Sequence, residues 1–267
     1  MLLLVVCYYP VLARLVHQWD NDEDMGHGFF VPLMAGYIAW LKRDELLAAS
    51  PRPAAWGLAL VGWAAVQLML GTMGAEIFLQ RTAFVLAVIG SVAFAGGAGA
   101  VRTLAFPLFL LFFMVPIPAI IYNRITFPLQ LLASRLAEIA LMILGTPVLR
   151  EGNVLELAGQ KLQVVEACSG IRSLLSLSFL SLVYGYFFDT NRAMRVFLLA
   201  STIPIAVLAN ASRVTVTGIL GDFDPELSRG FFHGASGWVI FVVALAMLAG
   251  LHQGLRRFHR YVYGPRN

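Results

Sequence analysis

The sequence predicts an all-α polytopic membrane protein with about eight membrane helices and a short external β-hairpin near residues 147–166. Of the 267 residues, 59% are hydrophobic and only 13% are charged, whereas soluble domains carry about 25% charged residues. Apolar runs recur along the whole chain and alternate with short polar segments. Because no linker or internal repeat divides it, we interpret residues 1–267 as a single membrane domain.

The candidate spans are the apolar runs that approach the length of a membrane helix, about 20 residues. They cover residues 2–16, 29–40, 56–73, 83–94, 104–115, 171–188, 196–220 and 238–251. A further apolar run at 127–144 contains Arg135 and Glu138 at helical spacing. We expect this run to lie along the membrane interface or between other helices, rather than to cross.

The charge distribution orients the chain, because cytoplasmic loops are enriched in Lys and Arg. The loop at 17–28 is acidic and contains neither residue, so we predict it to be outside. The turn at 189–195 and the C-terminal tail are basic and are predicted to be inside. Counting back from the tail then puts residues 145–167 outside. The net charge of +4 follows from this topology, and no basic patch with interleaved aromatic residues suggests nucleic-acid binding.

The predicted β-hairpin lies in the external segment. The runs VLREGNVLEL and KLQVVEA both alternate apolar and polar residues, and Ala158-Gly159 lies between them. Alternation with a period of two is typical of a strand with one buried face. We therefore expect two strands joined at Ala158-Gly159.

The stretch VVEACSGIRSLL places Cys168, a candidate nucleophile, at the outer end of an apolar run. Helix N-termini and nearby cations favour the thiolate, which is the nucleophilic form, and Arg172 shares the face of Cys168. Ser169 and Gly170 bring backbone N–H groups that can stabilise an oxyanion. The alternative is an inert buried cysteine, with Arg172 extended to the interface.

Arg213 and His233 are predicted to lie at the same outer level as Cys168. An arginine within an apolar helix is expensive and indicates function by default, and Asn210, one turn earlier, is positioned to orient it. His233 can act as the general acid or base for a thiolate. The alternatives are an ion pair of Arg213 with an acidic residue at 222–226 and an interfacial histidine at a helix start.

The first outer loop, WDNDEDMGHGFFVP, adds Asp20 and His27 as candidates for the rim of the site. An acidic loop is more often a solvated surface, and its spacing lacks the later glycine and glutamate of an EF-hand. A zinc site from His27, Cys168 and His233 is disfavoured because neither H-E-x-x-H nor C-x-x-C occurs. We therefore expect no metal and no cofactor.

Three stretches together resemble the exosortase/archaeosortase family: EACSGIRS with Cys168, NASR with Arg213, and FHGASGW with His233. The acidic loop that leads to a His-Gly pair also resembles the first external loop of that family. The similarity extends from Trp19 to about Trp238. The order Cys, Arg, His is more specific than the cysteine motif alone.

The resemblance implies a membrane-embedded cysteine protease or transpeptidase for protein sorting. Its substrates would be membrane-anchored proteins whose C-terminal sorting signal combines a short motif such as PEP (a PEP-CTERM signal), a membrane helix and a basic tail. Carried over by position, Cys168 matches the nucleophile, Arg213 the catalytic arginine and His233 the catalytic histidine. It further implies a multi-pass protein of the bacterial inner membrane, a periplasmic active site, a lipid or glycan as possible acceptor, and a link to exopolysaccharide export.

Two other classes of function remain open at this point. A transporter or channel would explain the many helices, the intramembrane Arg213 and the Gly and Pro breaks such as VPIP, although no inverted repeat or pair of broken helices is visible. A structural subunit of a polysaccharide-export complex would leave Cys168 without a chemical role. An enzyme predicts a cysteine that reacts with an impermeant thiol reagent and whose reactivity depends on His233.

Overall fold

The computed structural model describes residues 2–48, 52–157, 160–163, 170–223 and 231–263. Within these ranges, the side chains of Arg172 and His233 are outside the description. The chain forms two compact units, Met1–Ala119 and Ile120–Asn267.

The secondary-structure elements of the first unit are all helices among its described residues. Its elements are α1 (Leu2–Cys7), α2 (Tyr9–Asn21), a 3-10 helix (Glu23–Phe29), α3 (Phe30–Leu41), α4 (Arg43–Ala48), α5 (Ala55–Met73), α6 (Ile77–Thr103), α7 (Ala105–Leu110) and a second 3-10 helix (Leu111–Met114). Helices are expected here because a backbone in lipid must satisfy its hydrogen bonds internally.

The core of the first unit is the close pair of α5 and α6. A Cβ on Gly57 would lie 2.3 Å from the backbone N of Phe94, and a Cβ on Gly90 would lie 2.9 Å from the carbonyl oxygen of Gly57. Small residues allow two helix backbones to approach in this way in membranes. The start of α2 packs on the same pair, where the Tyr8 hydroxyl donates to the Ala64 carbonyl at 3.4 Å.

The second unit combines four helices with a small sheet. Its elements are α8 (Ala119–Ile143), β1 (Val148–Glu151), β2 (Val154–Leu157), β3 (Gln160–Gln163), α9 (Gly170–Phe188), α10 (Arg192–Phe223) and α11 (Phe231–Tyr263). The three strands form an antiparallel meander in the order β1-β2-β3.

Helix α10 is the centre of the second unit. Its first half shares a buried apolar cluster with α9 and α11, which includes Leu177, Leu198, Ala206 and Leu248. Its second half packs against α8 and the meander, since Val214 shares a buried cluster with residues of both. Every partner of the unit therefore buries its apolar face against α10.

The predicted all-α membrane class fits the observed helices, but the number of spans differs from the prediction. Among the described residues, four helices are long and apolar enough to cross a membrane: Ala55–Met73, Ile77–Thr103, Ala119–Ile143 and Arg192–Gly221. Shorter apolar helices occur at Met25–Leu41, Ala105–Met114 and Leu174–Phe188. The predicted run at 2–16 is divided between α1 and α2 at Tyr8. The prediction of about eight spans is thus not confirmed.

The run at 127–144 differs from its predicted form. It belongs to the 25-residue helix α8, which begins at Ala119 and meets the length and composition of a span. The charge of Glu138, one reason to expect an interfacial position, is paired with Arg150 at 2.7 Å. The expectation that this run does not cross the membrane is therefore unsupported.

The predicted two-stranded hairpin corresponds to a three-stranded meander. The run VLREGNVLEL forms two strands, because the chain turns at Gly152, whose φ is +64°. Positive φ favours glycine. The second and third strands pair on either side of residues 158–159, with Leu157 opposite Gln160.

Candidate functional site

Helices α9 and α10 pack antiparallel with a constant register. A Cβ on Gly185 would lie 3.3 Å from Arg195 Cγ, and the hydroxyls of Ser178 and Thr202 are 3.2 Å apart. Each step back along α9 is therefore matched by an equal step forward along α10. Followed back from Ser178, this register places Gly170, the first residue of α9, level with Asn210 of α10. The distance from the Ser178–Thr202 contact is about 12 Å along each helix.

Helix α11 runs parallel to α9, also with a constant register. His252 Nδ1 lies 3.0 Å from the Tyr184 hydroxyl, and Arg256 donates to the Phe188 carbonyl at 3.2 Å. Continued to the first residue of α9, this register leads to Trp238, within the first turns of α11. The starts of α9 and α11 and the turn of α10 from Asn210 to Arg213 thus lie at one end of the unit.

Arg213 and Asn210 are neighbours on the same side of α10, three residues apart. Arg213 is half-buried, and its Nε is shielded from solvent. Asn210 is only 7% exposed, and its buried Oδ1 has no hydrogen-bond partner among the described residues. Buried polar atoms normally have a partner, so an unsatisfied one calls for an explanation such as a bound group.

The β-meander forms a wall beside Arg213. Leu155, Leu157 and Leu162 of the meander are buried in one cluster with Val214, the residue that follows Arg213. One turn further, a Cβ on Gly218 would lie 3.5 Å from Leu157. The last turns of α10 are thereby held against the sheet.

Helix α8 anchors the meander on its other side. The Arg150 guanidinium donates to the Glu138 carboxylate at 2.7 Å, and both side chains are about three-quarters buried. The Ser134 hydroxyl donates to the Gly152 carbonyl at 3.1 Å. Partly buried, charge-assisted contacts of this kind are stronger than surface pairs.

A second polar cluster lies at the opposite end of the unit and was not predicted. His252, which is 1% exposed, donates from Nε2 to the Asp189 carboxylate at 2.8 Å. Burial alone would raise the pKa of Asp189. This pKa is nevertheless lower than its ordinary value, because Asp189 accepts hydrogen bonds from His252 and from the Asn191 backbone N–H and lies near the positive charges of His252 and Arg256. The motif DTN was the signal in the sequence for a helix start at this end of the unit. Asn191 caps α10, because its Oδ1 accepts from the Ala193 N–H at 2.9 Å.

The predicted catalytic residues are only partly described. Cys168 and Ser169 lie outside the described residues, and Gly170 begins α9. Arg172 and His233 belong to α9 and α11 by their backbone, while their side chains are not described. The acidic residues suggested as partners of Arg213 are likewise outside the described side chains. The catalytic set therefore stays a prediction.

His27 and Asp20 belong to the first unit, where His27 has a packing role. His27 is 9% exposed, and its Nε2 lies 3.2 Å from the Phe113 carbonyl. The neighbouring Trp19 donates to the Met114 carbonyl at 3.0 Å, and a Cβ on Gly28 would overlap the Trp19 ring. Asp20 is exposed. Trp19 fixes this loop, a role that was not predicted from the sequence.

Within the part that the structure describes, no group of three His, Cys, Asp or Glu side chains is arranged to hold a metal ion.

The comparison with protein families connects this geometry to a known group. The model of the family described as transmembrane exosortase (Exosortase_EpsH) matches residues 19–250. No curated protein matches this chain. No solved structure matches it either. The matched region includes Asn210 and Arg213 of the second unit and the loop of Trp19 and His27, and it covers most of the 267 residues. This chain therefore belongs to the transmembrane exosortase family.

Proposed function

We propose that this exosortase is a membrane-embedded cysteine endopeptidase or transpeptidase that cleaves C-terminal sorting signals of exported proteins. The register between α9 and α10 is the main support, because it brings the start of α9 level with Asn210 and Arg213. Cys168 and Ser169 directly precede α9 in the sequence. A thiol, backbone N–H groups and a guanidinium at one level are the groups that acyl transfer from a peptide requires.

In this proposal Cys168 is the nucleophile and Arg213 stabilises the developing negative charge. The Cys168 thiolate attacks the carbonyl carbon of the scissile peptide bond, and the carbonyl oxygen becomes an oxyanion. The Arg213 guanidinium and N–H groups near Ser169 and Gly170 donate hydrogen bonds to this oxygen. The unsatisfied Oδ1 of Asn210 is available to accept from a substrate N–H or to orient Arg213. Arg172 supports the thiolate by its charge.

His233 completes the reaction as general acid and base. As the tetrahedral intermediate collapses, the C–N bond breaks and the leaving amine takes a proton from His233, which leaves a thioester on Cys168. Water or an acceptor amine then attacks the thioester and loses a proton to His233, and Cys168 is regenerated. Hydrolysis and transfer differ only in this acceptor, for which an amine on a lipid or glycan is our candidate.

The proposed orientation has the active site on the periplasmic side of the bacterial inner membrane. Arg192 and Arg195 begin α10, and Arg256 and Arg257 lie in the last turns of α11. These four cations lie at the end of the unit opposite to Arg213. Because cationic residues concentrate on the cytoplasmic side, the end with Arg213 is assigned to the outside.

The proposed substrate follows from the same orientation. A protein anchored by a C-terminal membrane helix, with a basic tail inside and a PEP-type motif outside, would present the motif at the level of Cys168. The rim role of His27 and Asp20 stays a prediction from the sequence. We also propose that this protein sorting is linked to exopolysaccharide export.

The test is the processing of a tagged substrate with such a signal, coexpressed with the full-length protein. We expect the wild type to shorten the substrate and Cys168→Ala to leave it at full length. The matched control is Cys7→Ala, because Cys7 is the other cysteine of the chain and is exposed in α1. It should process the substrate at the rate of the wild type.

Two outcomes would contradict the proposal. Equal processing by the wild type and Cys168→Ala would exclude Cys168 as the nucleophile. If no variant processes the substrate, labelling with an impermeant thiol reagent in a Cys7→Ala background decides the class. An unreactive Cys168, or reactivity unchanged by His233→Ala, would favour a transporter or a structural subunit instead.

A further inference from the structure

Asn210 lies where two sets of packing partners of the second unit meet along α10. Ala206, four residues before it, packs with α9 and α11, since it shares a buried cluster with Leu177 and Leu248. Val214, four residues after it, packs with α8 and the meander. Residues four apart lie on one side of a helix. Asn210 is therefore in line with Ala206 and Val214 and borders both sets of partners.

The side chain of Asn210 is buried at this junction without a hydrogen-bond donor for its oxygen. It is 7% exposed, and its Oδ1 has no partner among the described residues. The buried hydroxyl of Thr215, on the same helix, donates to the Ala211 carbonyl at 2.9 Å. The buried hydroxyl of Ser201 donates to the Phe197 carbonyl at 2.8 Å. A buried acceptor without a donor is unfavourable, and a bound ligand that supplies the donor would explain it.

Arg213 is not the donor to Asn210, although the two residues are one turn apart on α10. The Arg213 side chain belongs to the described part of the chain, and within that part Oδ1 of Asn210 accepts from no group. The register of α9 and α10 places this oxygen level with Gly170, which follows Cys168 and Ser169 in the sequence. The free acceptor thus lies at the level proposed for the reaction.

We propose that Asn210 is a specificity-determining residue whose Oδ1 accepts a hydrogen bond from one backbone N–H of the substrate. The inference rests on the proposed function, in which the substrate is a peptide cleaved by Cys168. Every peptide residue except proline offers a backbone N–H. A buried site built to accept a hydrogen bond rejects a ligand that lacks the donor, because the polar atom of the site then stays unpaired. The substrate residue bound by Asn210 can therefore be neither proline nor an N-methylated residue.

The experiment removes one substrate N–H at a time. A synthetic sorting-signal peptide with its motif, membrane helix and basic tail is N-methylated at successive residues around the scissile bond. Its Kd is measured with purified full-length Cys168→Ala protein in neutral detergent, and its KM and kcat are measured with the wild type. We expect one position at which N-methylation raises Kd and KM about tenfold. The kcat at that position should stay close to that of the unmodified peptide.

Asn210→Leu shows whether this position faces Asn210. Leucine keeps the volume but removes the acceptor, so Kd and KM of the unmodified peptide should rise by the same factor, and N-methylation at that position should add nothing. The unfolding temperature should stay equal or rise, because Oδ1 has no partner among the described residues. Asn210→Ala gives the same comparison if leucine does not fit. The matched control is Thr215→Val, which removes a hydroxyl bonded within the helix and should respond to every peptide as the parent protein does.

The following results would overturn the assignment. Equal effects of N-methylation at every position with and without Asn210 would exclude the substrate N–H and leave water as the donor. A lower kcat of Asn210→Leu with unchanged KM and Kd would make Asn210 a positioning residue for Arg213. Failure of Cys168→Ala to bind the unmodified peptide would also exclude the assignment.

The proposed function is tested separately by cleavage of the unmodified peptide. Asn210-dependent binding without cleavage by the wild type would support the assignment of Asn210 and contradict only the peptidase activity. Cleavage by the wild type without any position that depends on Asn210 would support the peptidase and contradict only the assignment.

Discussion

The hydroxyls of Ser178 and Thr202 are 3.2 Å apart and form a direct polar contact between the apolar helices α9 and α10. Thr202 is 1% exposed and also donates to the Leu199 carbonyl at 2.6 Å within its own helix. The contact lies midway between the proposed active site and the cluster around Asp189. It therefore helps to set the register on which the alignment of Gly170 with Asn210 depends.

Thr202→Val should lower both stability and processing, because it keeps the volume but removes the hydroxyl. The variant loses the hydroxyl's contacts with both Ser178 and Leu199, and each lost buried hydrogen bond costs about 1 kcal/mol, which the unfolding temperature in detergent would show. Ser201→Ala is the matched control, since the neighbouring Ser201 hydroxyl donates only to Phe197 of the same helix, at 2.8 Å. Equal processing by Thr202→Val and the wild type would show that this contact does not maintain the site.

Arg213→Gln should reduce kcat for signal cleavage by about 10²–10³-fold, the usual effect of losing one donor to an oxyanion. Arg213→Lys should recover only part of this loss, because lysine keeps the charge but lacks the planar fork of donors. The measurement is the rate of substrate shortening at equal membrane levels of each variant.

Arg135→Gln is the control for Arg213, since Arg135 is an exposed arginine on α8 with no ion pair among the described residues. It should retain full activity. A kcat of Arg213→Gln within threefold of the wild type would remove Arg213 from the catalytic set.

The helices could be predicted from the sequence where hydrophobicity alone determines them. The run at 56–73 corresponds to α5, Ala55–Met73, almost residue for residue. The bounds failed where small or polar residues continue a helix, as in α6, which runs from Ile77 to Thr103 although the prediction covered only 83–94. In the meander, the prediction of one strand over VLREGNVLEL overlooked the turn signal of its Gly-Asn pair.

The polar pairs could not be predicted, because their partners are far apart in the sequence. Glu138 was recognised as a charge in an apolar run, but its partner Arg150 lies in the meander. His252 and Asp189 are separated by a whole helix. Arg213 was singled out as a candidate because a single charge at membrane depth is informative without its partner.

Asp189→Asn should destabilise the protein at neutral pH by about 1–2 kcal/mol, since it removes a carboxylate that accepts two hydrogen bonds. The pKa of Asp189 is lower in the folded protein than its ordinary value, so the carboxylate stabilises the fold above about pH 4. This stabilisation is lost as the pH falls toward the folded pKa. The unfolding temperatures of wild type and variant should therefore converge below about pH 4.

Asp44→Asn is the control for this pH dependence. Asp44 is 79% exposed beside Arg43, and exposed pairs contribute little to stability. Its substitution should leave the unfolding temperature close to that of the wild type at every pH. A gap between wild type and Asp189→Asn that stays constant from pH 7 to pH 3 would mean that the carboxylate charge is not involved.

Gly57→Ala should strongly destabilise the first unit, because the added Cβ would lie 2.3 Å from the Phe94 backbone N and 2.7 Å from the Gly90 carbonyl oxygen. Backbone atoms on both helices cannot move aside, so α5 and α6 must separate, at a cost of about 1–3 kcal/mol or more. Gly62→Ala is the matched control on the same helix, since its Cβ would have no atom within 4 Å. It should be neutral or slightly stabilising, because alanine favours helix over glycine by about 1 kcal/mol. Unfolding temperatures in detergent would compare the two, and equal effects would refute the close packing of α5 on α6.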